Sequence, residues 1–137
     1  MNQTKICDLV GRMASLLLDS NALVFYLGNS PRIGKKTRIM LDEAQIFFSA
    51  ISLVELKIKM LQGKLKGPEV DQTKLIDLGL SPIGFGVEDA SAFDLLPNQD
   101  PFDNMLLAQA KQRNLKFLTS DLKILSLDTD FVLDLTD

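Results

Sequence analysis

The stretch Leu16-Leu17-Leu18-Asp19-Ser20-Asn21-Ala22-Leu23 carries the clearest structural signal in the chain. Its three consecutive leucines are apolar on both faces, which is typical of a strand buried inside a parallel sheet. Residues 20–27 then have the composition of a helix, and the pair Gly28-Asn29 is a common way for a helix to end. A buried strand that leads directly into a helix predicts a protein of the α/β class.

Strands and helices alternate in the same way along the rest of the chain. Further strands are predicted at residues 46–48, 79–86, 115–119 and 131–135. Helices are predicted at residues 35–44, from Ser49 or Ser52 to about Gln62, at residues 68–78 and 87–96, from Asp100-Pro101 onward, and briefly from near Asp121. This alternation predicts a three-layer α/β/α sandwich around a central, mainly parallel sheet of about five strands.

The length of 137 residues suits one domain, which we place at residues 15–137. Residues 1–14 are interpreted as an N-terminal extension, because apolar residues recur at helical spacing from Ile6 to Met13. Met13 is itself a natural start. The extension is therefore either a short amphipathic helix that docks on the domain or an artefact of the assigned start, and both interpretations stay open.

The composition excludes several kinds of chemistry. The chain has no histidine and one cysteine, Cys7, so it cannot form a Ser-His-Asp site, a histidine-bound zinc site or an internal disulfide. Any metal site must be built mostly from oxygen ligands, which favours hard ions such as Mg²⁺, Mn²⁺ or Ca²⁺. No apolar run approaches the roughly 18 residues that span a bilayer, and a single thiol fits a reducing compartment. We expect a cytoplasmic protein with no membrane contact.

Four acidic residues stand where an apolar run ends or a helix begins: Asp19, Glu55, Asp103 and Asp121. In an open parallel sheet the strand ends and the helix starts meet at one edge, which is also where ligands bind. Four carboxylates gathered at that edge would repel one another unless a cation lay between them. We therefore expect a divalent-metal site there, which in turn suggests phosphodiester chemistry.

Each acid also has a purely structural explanation. The residues that can cap a following helix are Asp19, Asp100 and Asp121. Ser52 and Glu55 have the spacing of a capping box, and Glu55 can also pair with Lys59 four residues later. Asp103 can reach back to the start of its own helix. Taken singly these explanations are preferable, whereas the convergence of all four acids on one edge favours a site.

The net charge of −3 is unevenly distributed along the chain. Residues 32–66 carry eight basic and three acidic residues, whereas residues 67–137 carry five basic and thirteen acidic ones. A basic first half can face a polyanion while the acidic half holds metal. The candidates for phosphate contacts are Arg32, Lys35, Lys36 and Arg38. Solvation of a helix surface is the plainer role for most of them.

Other acidic α/β families are less consistent with the sequence. A phosphatase of the haloacid-dehalogenase type needs a second Asp two residues after the first, where this chain has Asn21. A response-regulator receiver matches the size and layout, but its acidic pair before the first-strand Asp and its Lys after the last strand are not visible. No Walker-type phosphate loop is present, since Gly63-Lys64 lacks the upstream Gly and a following Ser or Thr.

Four segments together resemble the PIN domain, and within it the toxins of VapC-type toxin–antitoxin modules. The segments are Leu17-Leu18-Asp19-Ser20-Asn21-Ala22-Leu23, Ser49-Ala50-Ile51-Ser52-Leu53-Val54-Glu55-Leu56-Lys57-Ile58-Lys59 with Gly63-Lys64-Leu65, Asp100-Pro101-Phe102-Asp103-Asn104-Met105-Leu106-Leu107-Ala108-Gln109-Ala110, and Leu118-Thr119-Ser120-Asp121. Their order and spacing agree over roughly residues 15–137, almost the whole chain. One such motif is weakly specific, but four in register are strongly specific.

The resemblance implies a function and a set of site residues. It makes the catalytic and metal-binding acids Asp19, Glu55, Asp103 and Asp121, with secondary positions at Asp100, Thr119 and Asn21. It implies Mg²⁺ or Mn²⁺ as the cofactor, endoribonuclease activity on an RNA substrate, a cognate antitoxin protein as partner, and a homodimer. Under this resemblance the RNA-binding candidates are Arg32, Lys35, Lys36 and Arg38.

The chain departs from the resemblance in two places. Many relatives have a basic residue before the Asp-Pro-Phe-Asp motif, where this chain has Pro97-Asn98-Gln99, and many have Arg after the third Asp, where it has Asn104. All four acids are present, but we expect RNA contacts near the site to be weaker or differently selective. Two alternative functions stay open: a PIN-like interaction module without catalysis, and a phosphoacceptor receiver domain.

Overall fold

The computed structural model describes residues 14–95 and 100–137, which form one five-stranded sheet with helices on both of its faces. The strands are β1 (Ser15–Leu18), β2 (Gln45–Ser49), β3 (Ser81–Ile83), β4 (Lys116–Thr119) and β5 (Val132–Asp134). The helices are α1 (Ser20–Leu27), α2 (Lys35–Glu43), α3 (Ala50–Leu61), α4 (Gln72–Asp77), α5 (Val87–Ser91), α6 (Pro101–Gln112) and α7 (Leu122–Leu125). The predicted sandwich is confirmed, and all four strand pairs of this sheet are parallel.

The strand order is β3-β2-β1-β4-β5, so the first strand of the chain lies at the centre of the sheet. Leu17 of β1 is paired with Phe47 of β2 on one side and with Phe117 of β4 on the other. The chain adds β2 and β3 on one side of β1, then returns to the other side to add β4 and β5. This order differs from the 2-1-3-4-5 order of receiver domains, so the receiver alternative is wrong.

The leucine run of β1 divides the core into two layers. Leu16 and Leu18 belong to a cluster on one face of the sheet, together with residues of α1, α2 and α4. Leu17 belongs to a second cluster on the other face, which α6 and α7 complete. All three leucines are fully buried, as a run without any polar face predicts.

The boundary between the two halves of the sheet lies between β1 and β4. Crevices at such a switch point, beyond the carboxyl ends of the strands, are where α/β proteins bind ligands. The backbone N–H of Asp19 donates a hydrogen bond of 3.1 Å to the carbonyl of Leu118, which fixes the first residue after β1 against β4. The residues that follow these two strands are thereby held side by side.

The helix predicted at residues 68–78 is shorter in the structure. It begins only after Asp71, because the carboxylate of Asp71 accepts hydrogen bonds from the backbone N–H groups of Thr73 and Lys74 and so caps α4. Gly67, with a φ of +108°, has a left-handed backbone that no helix continues through. The prediction of a helical start at Pro68 is therefore wrong.

The helix predicted at residues 87–96 is also shorter, since α5 ends at Ser91. The N–H of Ala92 is shared between the carbonyls of Glu88 and Asp89, and the N–H of Phe93 bonds to Ala90 three residues earlier. Such tightened bonds are a usual way for a helix to end. Residue 96 itself lies outside the described residues.

Two further predictions differ from the structure. The strand predicted at residues 79–86 is limited to β3, an edge strand that contains Pro82, because proline cannot donate to a sheet and is confined to its edges. The cap of α3 is Ser49, whose hydroxyl accepts a hydrogen bond of 3.0 Å from a backbone N–H of the first turn. Ser52 is fully buried inside that turn, so its predicted capping box with Glu55 is wrong.

The other predicted boundaries agree with the structure to within one or two residues. The predicted extension at residues 1–14 lies outside the described residues, except for Ala14. In the described part of the chain, no helix has both the length and the apolar composition needed to cross a membrane.

Candidate active site

The structure brings the four predicted acids to the edge of the sheet where β1 and β4 end. Asp19 directly follows β1 and caps α1, whereas Asp121 follows β4 and caps α7. Glu55 lies in the second turn of α3, the helix that follows β2, and Asp103 lies in the first turn of α6. Their carboxylates are close enough for each of the other three to raise the pKa of Asp103.

Asp19 is the most deeply placed of the four, with 4% of its surface exposed. Its Oδ1 accepts a hydrogen bond of 2.7 Å from the N–H of Ala22, and its Oδ2 accepts one of 2.5 Å from the hydroxyl of Thr119. Burial outweighs these bonds and raises the pKa of Asp19 to about 6, and the charges of Glu55 and Asp121 act in the same direction. A cation beside this carboxylate would relieve both effects.

Thr119, predicted as a secondary position, connects two of the acids. Its fully buried hydroxyl donates to Asp19 and accepts a hydrogen bond of 3.0 Å from the backbone N–H of Asp121. The same hydroxyl therefore orients one carboxylate and the segment that carries another. Thr119 thus orients the charged groups of the site and carries no charge itself.

Asp103 has the larger pKa change. Partial burial and then the negative charge of Asp100, three residues earlier, are the two largest causes, and Asp19, Glu55 and Asp121 add to them. Together they raise the pKa of Asp103 to about 7, so at neutral pH its carboxyl is about half protonated. Such a value is typical of a carboxyl that is partly buried close to other carboxylates.

Glu55 is held by two contacts, one of which helical spacing predicted. Its Oε1 accepts a hydrogen bond of 2.5 Å from the hydroxyl of Ser20, which is also 3.0 Å from the hydroxyl of Ser52. Its Oε2 lies 3.3 Å from Nζ of Lys59, so the pairing expected four residues along the helix is confirmed. Both serines are buried and belong to different helices, α1 and α3, which explains why spacing alone could not link them.

Asp100 and Asp121 combine a structural role with a place at the site. Each uses its Oδ1 to accept hydrogen bonds from two backbone N–H groups, and so each caps the helix that follows it. Both also line an open cleft of about 380 Å³, together with Asp103, Leu122 and Lys123. The predicted cap role of Asp100 is confirmed, and it does not remove this residue from the cleft.

An all-oxygen donor set of this kind suits Mg²⁺ or Mn²⁺. Within residues 14–95 and 100–137, however, no three His, Cys, Asp or Glu side chains already have an arrangement that could hold a metal ion. The carboxylates are held by hydrogen bonds from the chain itself, and repulsion between like charges opposes a closer approach. Asp19 and Asp103 both have raised pKa values, an effect that a cation beside them would reverse.

The four basic candidates do not have equivalent surroundings. Arg38 donates hydrogen bonds to the carbonyls of Ile33 and Ser30 and to the side chain of Asn29, so its guanidinium already holds the loop before α2. Arg32 is exposed and lies over the ring of Phe25, 4.9 Å from its centre. Arg32 is the more exposed of the two arginines.

Lys35 and Lys36 are exposed at the start of α2. This start is fixed to the segment after β5, because the N–H of Gly34 bonds to the carbonyl of Leu135 at 3.0 Å. The carboxyl ends of all five parallel strands share one edge, so these two lysines lie near the edge that carries the acids. Asn21 is also exposed there, in the first turn of α1.

Solved structures with a similar fold belong to toxin–antitoxin complexes. VapBC2 from Rickettsia felis bound to a promoter DNA fragment contains a chain that is 19% identical, with a TM-score of 0.63 over 88% of this chain and 98% of that one. DNA-bound VapBC from Salmonella typhimurium gives 20% identity and a TM-score of 0.58 over 89% and 98% of the two chains. At these identities the likeness establishes the fold alone.

Sequence comparisons give a complementary result. A search of curated proteins finds no match. The model of the PIN domain family matches residues 16–131, which include all of β1 but its first residue, the whole of β4 and all four acids of the candidate site. A match over most of the chain agrees with the parallel sheet and with the position of the carboxylates at its edge. This chain is therefore a member of the PIN domain family.

Proposed function

We propose that this protein is a divalent-metal-dependent endoribonuclease and the toxin of a toxin–antitoxin pair. The observation that carries the proposal is the convergence of Asp19, Glu55, Asp103 and Asp121 on the switch point between β1 and β4, with the two most affected carboxyls raised in pKa. Membership of the PIN domain family, whose members are generally nucleases, supports the same conclusion.

The residues present would hold Mg²⁺ or Mn²⁺ through Asp19 and Asp103, with Glu55 and Asp121 acting through water or orienting the attacking water. When bound, the ion would supply Lewis-acid chemistry, lowering the pKa of water and neutralising charge on the phosphate oxygens. With no histidine in the chain, the protein has no imidazole to serve as a general base. The carboxylates are therefore the chain's own means of orienting water and accepting its proton.

Buried neighbours set the orientation of these carboxylates. Thr119 and the N–H of Ala22 fix Asp19, and Ser20 fixes Glu55. Contacts of this kind are what hold metal-binding side chains in a productive geometry. Lys59 neutralises part of the charge of Glu55 and lies at the site as a cation of the chain itself.

Contacts with RNA would come from cations around the acidic cleft. Lys123 lines the cleft directly, while Arg32, Lys35 and Lys36 are exposed near the same edge of the sheet. Positive groups around an acidic metal site attract a phosphate backbone that the acids alone would repel. Arg38 was also predicted to bind RNA, and we propose that it acts indirectly by holding the loop that carries Arg32.

The proposed protein partner is an antitoxin. The similar folds belong to toxin–antitoxin complexes, and α3 exposes an apolar surface suited to a protein. A groove of about 410 Å³ runs beside this helix and is lined by apolar residues that include Leu53, Ile58 and Met60. Val54 and Leu61 on the same helix are 52% and 75% exposed. Exposed apolar area of this kind marks interaction surfaces. We also propose a homodimer and a cytoplasmic location.

The direct test is an RNA cleavage assay with Mg²⁺ or Mn²⁺. Wild-type protein should cut RNA, and Asp19→Asn and Asp103→Asn should each reduce the rate by at least about a hundredfold while circular dichroism shows an intact fold. Asp77→Asn, an exposed acid at the end of α4, is the matched control and should cut at the wild-type rate. Undiminished cleavage by both site variants would sink the assignment.

The same experiment addresses the non-catalytic alternative. If the wild-type protein is stabilised by Mn²⁺ in a thermal-shift titration but cuts no RNA, a PIN-like interaction module is the better description. Co-expression with the product of a small adjoining reading frame tests the partner separately. We expect a stable complex in which cleavage is inhibited.

A further inference from the structure

A cavity of about 180 Å³ lies between α6 and the segment that joins α7 to β5. Its wall combines apolar residues of α6 with Phe131, and the polar residues of its wall are Asp94, Asn104, Lys111 and Thr129. Sites for drug-sized ligands measure about 300–1,000 Å³. This cavity is smaller and suits a single ring system.

The contacts of the fold do not explain why the polar side chain of Asn104 is buried. Its surface is 1% exposed, yet neither its amide nitrogen nor its carbonyl oxygen has a hydrogen-bond partner among the described residues. Buried polar groups are almost always paired, because an unpaired one loses its hydration and gains nothing in return. Two unpaired atoms of one buried amide, on a residue that borders a cavity, indicate a partner that enters the cavity.

The chemistry of the amide indicates which partner fits. An Asn side chain presents a donor and an acceptor side by side, and adenine presents the complementary pair at its amino group N6 and at N7. Rotation about χ2 of Asn is soft, so the amide can align with a ligand. RNA-binding proteins read unpaired bases by combining such bonds with aromatic contacts. Phe131 supplies an aromatic ring here, and Lys111 supplies a positive charge.

We propose that this cavity binds an unpaired adenine base of the RNA substrate and that the amide of Asn104 recognises it. Asn104 follows Asp103 in α6, but no described residue lines both the cavity and the acidic cleft, so the base would belong to a nucleotide beyond the one whose phosphate the acids hold. The proposal rests on the proposed ribonuclease function and adds selectivity for one base. It also gives a role to a position at which the sequence departs from many relatives.

A buried water molecule is the plainer partner for Asn104. Buried waters commonly satisfy such amides. The two explanations differ in what they predict for RNA. A water-bound Asn104 has no effect on the choice of base, whereas a base-binding Asn104 controls it.

The test compares kcat/KM for two short single-stranded RNAs, one composed of adenine and one of uracil, in Mg²⁺ or Mn²⁺. Asn104→Leu removes the amide at a similar side-chain volume, and Ala108→Leu fills the cavity while it keeps the amide. Gln112→Leu is the matched control, since it removes an exposed amide from the same helix outside the cavity.

We expect the wild-type protein to prefer the adenine RNA. The ratio of the two kcat/KM values should fall about tenfold in both cavity variants, in line with the worth of one bidentate contact to a base. It should not change in Gln112→Leu. Asn104→Leu should also raise Tm, because it removes an unpaired buried amide. Equal kcat/KM values for the two RNAs in the wild type, or an unchanged ratio in both cavity variants, would overturn the proposal.

A binding measurement separates this proposal from the proposed function. Fluorescence anisotropy with the Asp103→Asn protein reports affinity for each labelled RNA without cleavage. Adenine-selective binding by the Asp103→Asn protein, together with no cleavage of either RNA by the wild type, supports the adenine site and contradicts the nuclease assignment. Cleavage of both RNAs with no preference in rate or affinity contradicts the adenine site and supports the nuclease.

Discussion

The hydroxyl of Thr119 donates a hydrogen bond of 2.5 Å to Oδ2 of Asp19, across the boundary between β4 and β1. The hydroxyl oxygen of Thr119 also accepts a hydrogen bond of 3.0 Å from the backbone N–H of Asp121. The last residue of one central strand therefore orients the carboxylate that follows the other. Because Asp19 is buried, this bond and the one from the N–H of Ala22 are the main contacts that orient its carboxylate.

Replacement of Thr119 by valine keeps the shape of the side chain and removes this bond. The pKa of Asp19 should rise further, because the bond from Thr119 lowers it. Affinity for Mn²⁺ should fall about tenfold, the lower end of what loss of such a supporting contact costs. A thermal-shift titration with Mn²⁺ measures the change. Thr119→Ser keeps the hydroxyl and should bind Mn²⁺ as the wild type does; equal affinities in the two variants would contradict this role.

Lys59 is the charge partner of Glu55. Its replacement should change thermal stability and metal affinity in opposite directions. Partly exposed ion pairs of this kind are worth about 0.2–1 kcal/mol, so Lys59→Met should lower the Tm of the metal-free protein by a few degrees. The same change should tighten Mn²⁺ binding, because the ion no longer competes with an ammonium group. Lys57→Met, two residues earlier and exposed, is the control. A purely structural Lys59 would lower Tm and leave Mn²⁺ affinity unchanged.

Stability of the metal-free protein should depend on pH through Asp19 and Asp103. Their pKa values of about 6 and about 7 lie above the ordinary value of 3.8, so the folded chain retains protons that the unfolded chain releases. These groups therefore stabilise the fold most at low pH, and the contribution is lost as pH rises from about 4 to about 7. The pKa of Asp89 is lowered instead, so its contribution to stability is lost only as the pH falls below the ordinary value of 3.8, outside this range.

Differential scanning calorimetry across that pH range checks the expectation. Tm should fall by several degrees in the wild type without metal, and by clearly less in Asp103→Asn, which has no proton to lose. With Mn²⁺ present the trend should weaken or reverse, because the ion binds the ionised carboxylates. The same slope in wild type and variant would show that these carboxyls are not electrostatically strained.

An ion pair remote from the carboxylates fixes the position of α6. Asp89, which is 1% exposed, accepts hydrogen bonds from the guanidinium of Arg113 at 2.9 and 3.1 Å and from the N–H of Gly86 at 2.8 Å. Arg113→Met leaves this carboxylate buried without its counter-charge. Because Arg113 is itself partly exposed, we expect a loss of about 2 kcal/mol, less than for a fully buried pair. Urea unfolding measures it, and Lys116→Met, an exposed cation of β4, should lose much less.

The sequence predicted the position of the site better than its supporting contacts. The four acids were identifiable because strand ends and helix starts share one edge, and the capping roles of Asp19 and Asp121 proved compatible with a place at that edge. The bond between Ser20 and Glu55 was not predictable, since it joins residues 35 positions apart and depends on how α1 packs against α3. Periodicity describes one element at a time and contains no such information.

Errors in the fold have a similar origin. The helix predicted from Pro68 was too long because an apolar pattern does not show that the Asp71 side chain captures the first free N–H groups of α4. The capping box expected for Ser52 was replaced by a cap at Ser49, three residues earlier, where the strand already ends. The unpaired amide of Asn104 has no signature in the sequence at all, because burial is a property of the assembled layers.

The most direct test of the metal centre is the anomalous diffraction of Mn²⁺ in crystals of the full chain grown with this ion above neutral pH. We expect an anomalous peak at the edge of the sheet, within ligand distance of carboxylate oxygens of both Asp19 and Asp103, and its loss in Asp19→Asn crystals. A well-ordered site with no anomalous peak between these residues, or a peak only elsewhere on the protein, would contradict it.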